Sequence, residues 1–220
     1  MIVLQITGRN VQLKCNISIF VAANFINDGM KRVAVYCGSS MGFDDAYRNQ
    51  AYLLGQMLAS RNIELVYGGA KVGLMGAVAQ GVLENEGKVM GVLPRFLRDK
   101  ELAYEGLTEL ILVDTMHERK AKMSELCDGV IALPGGFGTL EELFEMLTWA
   151  QLGLHGKPVA IFNINGFYDE LLALAQTMVD KGFLKEVNQK MLLNGDNVAE
   201  LLAKMESYKA PTTGKWIAEK

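Results

Sequence analysis

From Arg32 onward, short β-branched runs alternate with longer stretches of helical period, and this alternation constrains the fold more than any other feature of the chain. Strands separated by helices of about 10–15 residues pair in parallel through βαβ crossovers. Six runs read as strands: Val33–Tyr36, Glu64–Tyr67, Val89–Val92, Leu110–Val113, Val130–Leu133 and Val159–Phe162. Most are continuously apolar, as strands covered on both faces must be. Between them, helical period runs near Asp44–Ser60, Leu74–Glu86, Met116–Cys127, Thr139–Leu152 and Phe167–Lys181, with a last helix near Val198–Met205 on an edge. The expectation is an α/β fold built on a doubly wound, mainly parallel sheet flanked by helices.

Half of the 220 residues are apolar, enough to bury one sizeable core. The strand pattern starts directly after Met30-Lys31-Arg32, so one domain is expected over 30–208, with 1–29 an extension of unassigned role. Residues 209–220 read as a loose tail, because Pro211, Thr212, Thr213 and Gly214 interrupt any helical stripe. The apolar run Ile17–Ala23 falls far short of the roughly 20 residues a membrane helix needs. It also makes a poor signal peptide, since the segment before it is long and polar. No repeat of 20 to 50 residues recurs. A net charge of -3 and a pI near 5.5 supply no cationic field for nucleic acid or a membrane surface. Cys15, Cys37 and Cys127 are too few and scattered for a disulfide framework or a zinc site, and a cytoplasmic location is expected.

Ligands of open parallel sheets bind beyond the carboxyl ends of the strands. Three of those ends are glycine-rich here: Cys37-Gly38-Ser39-Ser40, Gly68-Gly69-Ala70-Lys71-Val72-Gly73 and Pro134-Gly135-Gly136-Phe137-Gly138-Thr139. Residues without a Cβ let main-chain amides approach an anion, and the helix following the third turn adds the positive end of its dipole. Phosphate is the expected ligand, with the Thr139 hydroxyl a further donor. A single Gly-Gly pair is more simply a tight turn; three at one sheet edge favour a binding site. Gly38, Ser39, Gly68, Gly69, Gly135, Gly136, Gly138 and Thr139 are its candidate residues. Neither the dinucleotide fingerprint nor the P-loop spacing follows any strand.

Thr139 with Glu142, and Thr115 with Glu118, match the Thr-x-x-Glu capping box. On residue types alone, Glu142 divides evenly between cap and catalyst. Arg119 and Lys120 lie early in a helix, where cations oppose the macrodipole. A bound anion would offset that, Arg119 gripping phosphate or carboxylate through two donors. A solvated basic face is the competing reading.

Met116-His117-Glu118-Arg119-Lys120 together with Pro134-Gly135-Gly136-Phe137-Gly138-Thr139-Leu140-Glu141-Glu142 resembles the paired signature of the LONELY GUY family, whose members are cytokinin riboside 5′-monophosphate phosphoribohydrolases. The similarity runs from about Lys31 to Ser207 and includes Tyr67-Gly68-Gly69 and Thr148-Trp149-Ala150-Gln151-Leu152-Gly153. It implies a Rossmann-like homodimer or higher homo-oligomer, needing no cofactor or metal, that cuts a nucleoside 5′-monophosphate into base and ribose 5-phosphate. It further implies that Arg119 and Glu142 are catalytic. Lys120, the Gly136–Glu142 turn with Glu141, Thr148 and Glu101 fall where the family contacts nucleotide.

The N-glycosidic bond breaks with positive charge building on the ribose, by analogy with glycoside hydrolysis. Glu142 is therefore expected to stabilise that charge or position the attacking water, and Arg119 to hold phosphate or ribose and keep Glu142 ionised. A lysine decarboxylase, a label some relatives carry, would need a Schiff-base lysine and an acidic partner for pyridoxal phosphate, and no setting for them is evident. The alternatives are a non-catalytic nucleotide or cofactor carrier of the same fold and a DNA-associated module, the latter disfavoured by charge. The twelve methionines and Trp149 read as packing residues.

Overall fold

The computed structural model describes residues 6–7, 10–11, 29–98 and 103–211. Ile6–Thr7 pairs antiparallel with Asn10–Val11; the run Ile17–Ala23, Cys15, Glu101 and the tail beyond 211 lie outside the described residues.

Seven strands form the main sheet: β1 (Arg32–Tyr36), β2 (Glu64–Tyr67), β3 (Val89–Pro94), β4 (Glu109–Val113), β5 (Gly129–Ala132), β6 (Val159–Phe162) and β7 (Leu192–Gly195). Their order is β4-β3-β2-β1-β5-β6-β7, every pairing parallel. The sequence pattern locates six of the seven. β7 escapes it because Leu192-Leu193-Asn194-Gly195 offers two apolar residues and then turn formers, the composition of a short edge strand.

The main helices are α1 (Asp45–Ser60), α2 (Gly73–Leu83), α3 (Arg95–Arg98, one turn), α4 (Met116–Leu126), α5 (Phe137–Gln151), α6 (Asp169–Asp180), α7 (Glu186–Gln189, one turn) and α8 (Val198–Glu206). Alternation along the strands sorts them onto two faces. Val33, Val35, Leu65, Tyr67 and Ile131 point to the side covered by α1, α2 and α8. Ala34, Tyr36, Val66, Val130 and Ala132 point to the side covered by α4 and α5, through Met123, Leu143 and Met146. At roughly 25 cal/mol per Å² of buried apolar area, these two layers supply the main stabilising term. α1 and α2 cross at glycines: a Cβ at Gly55 would lie 2.3 Å from the Val78 carbonyl oxygen, and one at Gly81 would lie 2.2 Å from that of Tyr52. Either Gly→Ala change would force these helices apart.

Strand order reverses between β1 and β5, the neighbours at the centre of the sheet. The crevice beyond that junction is where such a sheet takes its ligands. No helix among the described residues is long and apolar enough to cross a membrane.

Candidate active site

A cleft of about 350 Å³ opens at this reversal. Gly38, Ser39 and Ser40 after β1 form one wall, Pro134, Gly135 and Gly136 after β5 another, and Tyr47 and Phe167 close the sides. The two turns are sewn together, the Gly38 N–H donating to the Pro134 carbonyl at 3.0 Å. At Gly135 a Cβ would strike the Thr139 hydroxyl at 2.1 Å and the Gly38 nitrogen at 2.9 Å, so only glycine fits between them. Gly136 and Gly138 differ: a Cβ on either would meet nothing within 4 Å. Packing therefore gives no reason for these two glycines, whereas leaving backbone bare to an approaching anion does.

Gly136 is also the N-cap of α5, and no side chain accepts from that helix's first amides. Four N–H groups at a helix start lack intrahelical partners, and here they begin next to Gly136, which lines the cleft, at the positive end of the helix dipole. The expected Thr139–Glu142 capping box is not formed. Helix α5 starts two residues earlier than the sequence pattern suggests, at Phe137, so Thr139 sits buried inside the first turn and cannot cap. Thr115 does cap α4, its hydroxyl accepting from the Glu118 N–H at 3.1 Å, while Glu118 reaches back to the Asp114 N–H at 2.9 Å. Glu142 is thus left without a capping duty.

Arg119 and Lys120 are not on a solvated face; they are buried, 8% and 6% exposed. Successive helical residues point about 100° apart, and the two cations have different neighbours. Lys120 turns toward α5, where its ammonium donates to Glu141 and, at 3.1 Å, to Glu145. Burial lowers its pKa, but those two hydrogen bonds outweigh burial and the net shift is upward. Arg119 turns toward the β2 end, against the Cα of Gly68. Among the described residues its Nη1 has only the Met116 sulfur at 3.9 Å, and its Nε is buried with no hydrogen-bond partner. A guanidinium so held is a donor set awaiting an anion, because an unpaired buried charged group is costly.

Glu142 lies in the field of that arginine. Burial pushes its carboxyl up to about 7, Arg119 and Lys120 opposing the shift and Glu141 and Glu145 adding to it. The expectation that Arg119 keeps Glu142 ionised is therefore only partly met, since desolvation exceeds the attraction. Glu142 and Arg119 act with opposite sign on the buried Tyr36 hydroxyl and the half-buried Cys37 thiol at the end of β1, which brings both charges to one sheet end.

Of the residues singled out as candidate site residues, Gly38, Ser39, Gly135 and Gly136 line the cleft, whereas Gly68, Arg119, Lys120, Gly138, Thr139, Glu141 and Glu142 are not part of its lining. Gly69 is buried with φ +81, packed against Leu93 and Leu110, and does not line the cleft. Ser39 is exposed, with Gly73 pressed beneath its backbone. Thr148 donates to the Phe144 carbonyl at 2.7 Å and lines an apolar groove between α5 and α6, not the cleft. Glu101 lies outside the described residues. Sequence reasoning missed Met41, Gly42, Tyr47 and Phe167 as cleft residues. The signal available was Gly42 (φ +73), four residues after Gly38, over which the Tyr47 ring closes.

Residues 75–205 match the family model described as possible lysine decarboxylase. The Arabidopsis thaliana protein named cytokinin riboside 5′-monophosphate phosphoribohydrolase LOG5 is 46% identical over 200 residues, covering 89% of this chain and 88% of its own. A probable cytokinin riboside 5′-monophosphate phosphoribohydrolase of Oryza sativa subsp. japonica, LOGL1, is 48% identical over 177 residues, 80% of this chain and 79% of its own. Among solved structures, the molybdenum cofactor binding protein of Rippkaea orientalis superposes with TM-score 0.61 at 23% identity, covering 80% of this chain and 95% of its own, a likeness of fold alone.

Proposed function

The chain belongs to the cytokinin riboside 5′-monophosphate phosphoribohydrolase family, and on that premise we propose that it hydrolyses the N-glycosidic bond of a nucleoside 5′-monophosphate, AMP or an N6-substituted cytokinin nucleotide, to free base and ribose 5-phosphate. The observation that carries this reading is the buried Arg119 Nε, unpartnered among the described residues, in the field of a half-buried Glu142, beside a helix start with uncapped amides.

In this proposal the 5′-phosphate rests on the Gly136–Thr139 amides, with the Thr139 hydroxyl beside them, and remote phosphate binding energy fixes the anomeric carbon. Arg119 donates to phosphate or ribose oxygens. Glu142, in its ionised form, faces the cation that develops as the base departs, or orients the water that attacks it. A carboxylate held near 7 is the stronger base for being there, and it ionises at neutral pH without much cost. Lys120, tied to Glu141 and Glu145, holds α4 against α5 and so fixes the separation of Arg119 and Glu142. A lysine decarboxylase reading asks for a lysine that is neutral at working pH, and Lys120, kept protonated by two carboxylates, does not fit it. The protein is proposed to act in the cytoplasm as a homodimer, for which the apolar α5–α6 groove, with Phe144 and Leu174 exposed, offers a face.

Incubating the protein with AMP and an N6-substituted analogue and assaying products tests the reaction. Equimolar base and ribose 5-phosphate are expected. Saturable binding with no base release would replace hydrolysis by carriage.

A further inference from the structure

The Leu133 carbonyl, directly before Pro134-Gly135-Gly136, stands where the sheet runs out. The Leu133 N–H still donates to Tyr36 at 2.9 Å. The next ladder donor from the β1 side, the Gly38 N–H, bonds the Pro134 carbonyl at 3.0 Å instead, so the ladder gives the Leu133 oxygen no donor. The Tyr168 hydroxyl takes the position instead, donating at 2.6 Å from a side chain 1% exposed.

Tyr168 reaches there because its own backbone is pinned. Its N–H donates to the Asn163 side chain at 2.7 Å, and Asn163 in turn donates to Asp169 at 2.7 Å. Asn165, in a left-handed conformation at φ 51, donates to Asp44 at 2.9 Å, and Asp44 caps α1 through the Ala46 N–H at 2.8 Å. Between these ties Phe167 enters the cleft lining, edge-on to Tyr47 with centroids 6.0 Å apart and to Tyr168 at 4.9 Å. One segment, 163–169, thus spans from the start of α1 to the turn after β5.

We propose that Tyr168 is a positioning residue: its hydroxyl, on the Leu133 carbonyl, sets the height of the Pro134–Gly136 turn and hence of the amides that receive the 5′-phosphate. The proposal rests on the phosphate-cradle reading above. Tyr168 touches no substrate in it. A tyrosine that only filled core volume would be replaceable by phenylalanine without any change that depends on phosphate. One that sets the turn would lose affinity selectively for ligands bearing phosphate, since small misplacements of a binding group act on the interactions it makes.

The test measures AMP hydrolysis by the full chain and by Tyr168→Phe, with ribose 5-phosphate and adenosine as competing inhibitors. In the variant, KM for AMP and the inhibition constant of ribose 5-phosphate are expected to rise together by about tenfold, the equivalent of one lost hydrogen bond. The adenosine constant stays put and kcat stays within about twofold. Equal shifts for both inhibitors, or no shift, overturn the proposal even if the melting temperature falls. If ribose 5-phosphate fails to inhibit the unmodified protein while adenosine does, the cradle itself is wrong and the proposal goes with it. Should Tyr168→Phe not fold, Asn163→Ala, which frees the Tyr168 N–H but keeps the hydroxyl, receives the same measurements, with the same shifts supporting or overturning the proposal.

Discussion

Arg119 and Gly68 are built against each other: a Cβ added to Gly68 would lie 2.0 Å from Nη2 of Arg119 and 3.0 Å from the Met75 sulfur. The sheet's carboxyl edge therefore serves as a shelf for a guanidinium that approaches from α4 on one face, and a bare Cα is what admits it. Gly68→Ala should displace the guanidinium, the flexible partner, while the fold largely absorbs the change. We expect kcat/KM for AMP to fall by about 10- to 100-fold, the cost of a misplaced donor, with loss of stability near 1 kcal/mol. Arg119→Ala should harm binding and turnover alike. Steady-state kinetics beside thermal melting distinguish the two effects; a melting loss without a kinetic one would detach Arg119 from the site.

Glu142 makes folding sensitive to pH in a direction opposite to that of most carboxylates. Its folded value near 7 stands above its ordinary 4.5, so between these limits the folded protein keeps a proton that the unfolded chain has released. Stability contributed by this group is thus intact below about 4.5, declines as pH rises to about 7, and is constant above. Glu142→Gln, which cannot ionise, should be the more stable protein at pH 8, by on the order of 2 kcal/mol, with no gain at pH 4.5. Urea unfolding at the two pH values checks it. A variant less stable than the parent at pH 8 would restore a structural duty to Glu142.

The Lys120 ion pairs differ in worth because their carboxylates differ in exposure. The Glu141 side chain is 58% exposed and that of Glu145 25%. Water already solvates Glu141, so its pair contributes little beyond an ordinary surface bridge. Glu145→Gln should cost about 1 kcal/mol and Glu141→Gln only a few tenths. Denaturant midpoints decide the order, and the reverse order would show that exposure does not set the worth of these pairs.

Much of the scaffold is legible because buried parallel strands advertise themselves as apolar runs, and the glycine turns after β1 and β5 do meet at the strand-order reversal. What stays hidden is set by tertiary contacts. Thr139 matches a capping pattern, but whether a Thr caps depends on where its helix begins, and Gly136 takes that place. Arg119-Lys120 reads locally as one basic patch; packing sends one side chain to Gly68 and the other to Glu141 and Glu145. The Glu142 carboxyl is raised by burial and held back by Arg119, 23 positions away, and the Tyr168 hydroxyl bonds Leu133, 35 positions away; no local spacing encodes either. The Thr148 and Gly69 positions show the converse: both belong to matched motifs, yet one faces a groove and the other packs in the core.

The central claim is that the Glu142 carboxylate acts on the breaking glycosidic bond and not on binding. AMP affinity and single-turnover hydrolysis measured side by side for the parent and Glu142→Gln test it most directly. Affinity is expected to stay within about threefold while the rate falls by at least about 10²-fold, the scale at which one electrostatic group acts in a transition state. Hydrolysis at the parental rate in Glu142→Gln would contradict the claim.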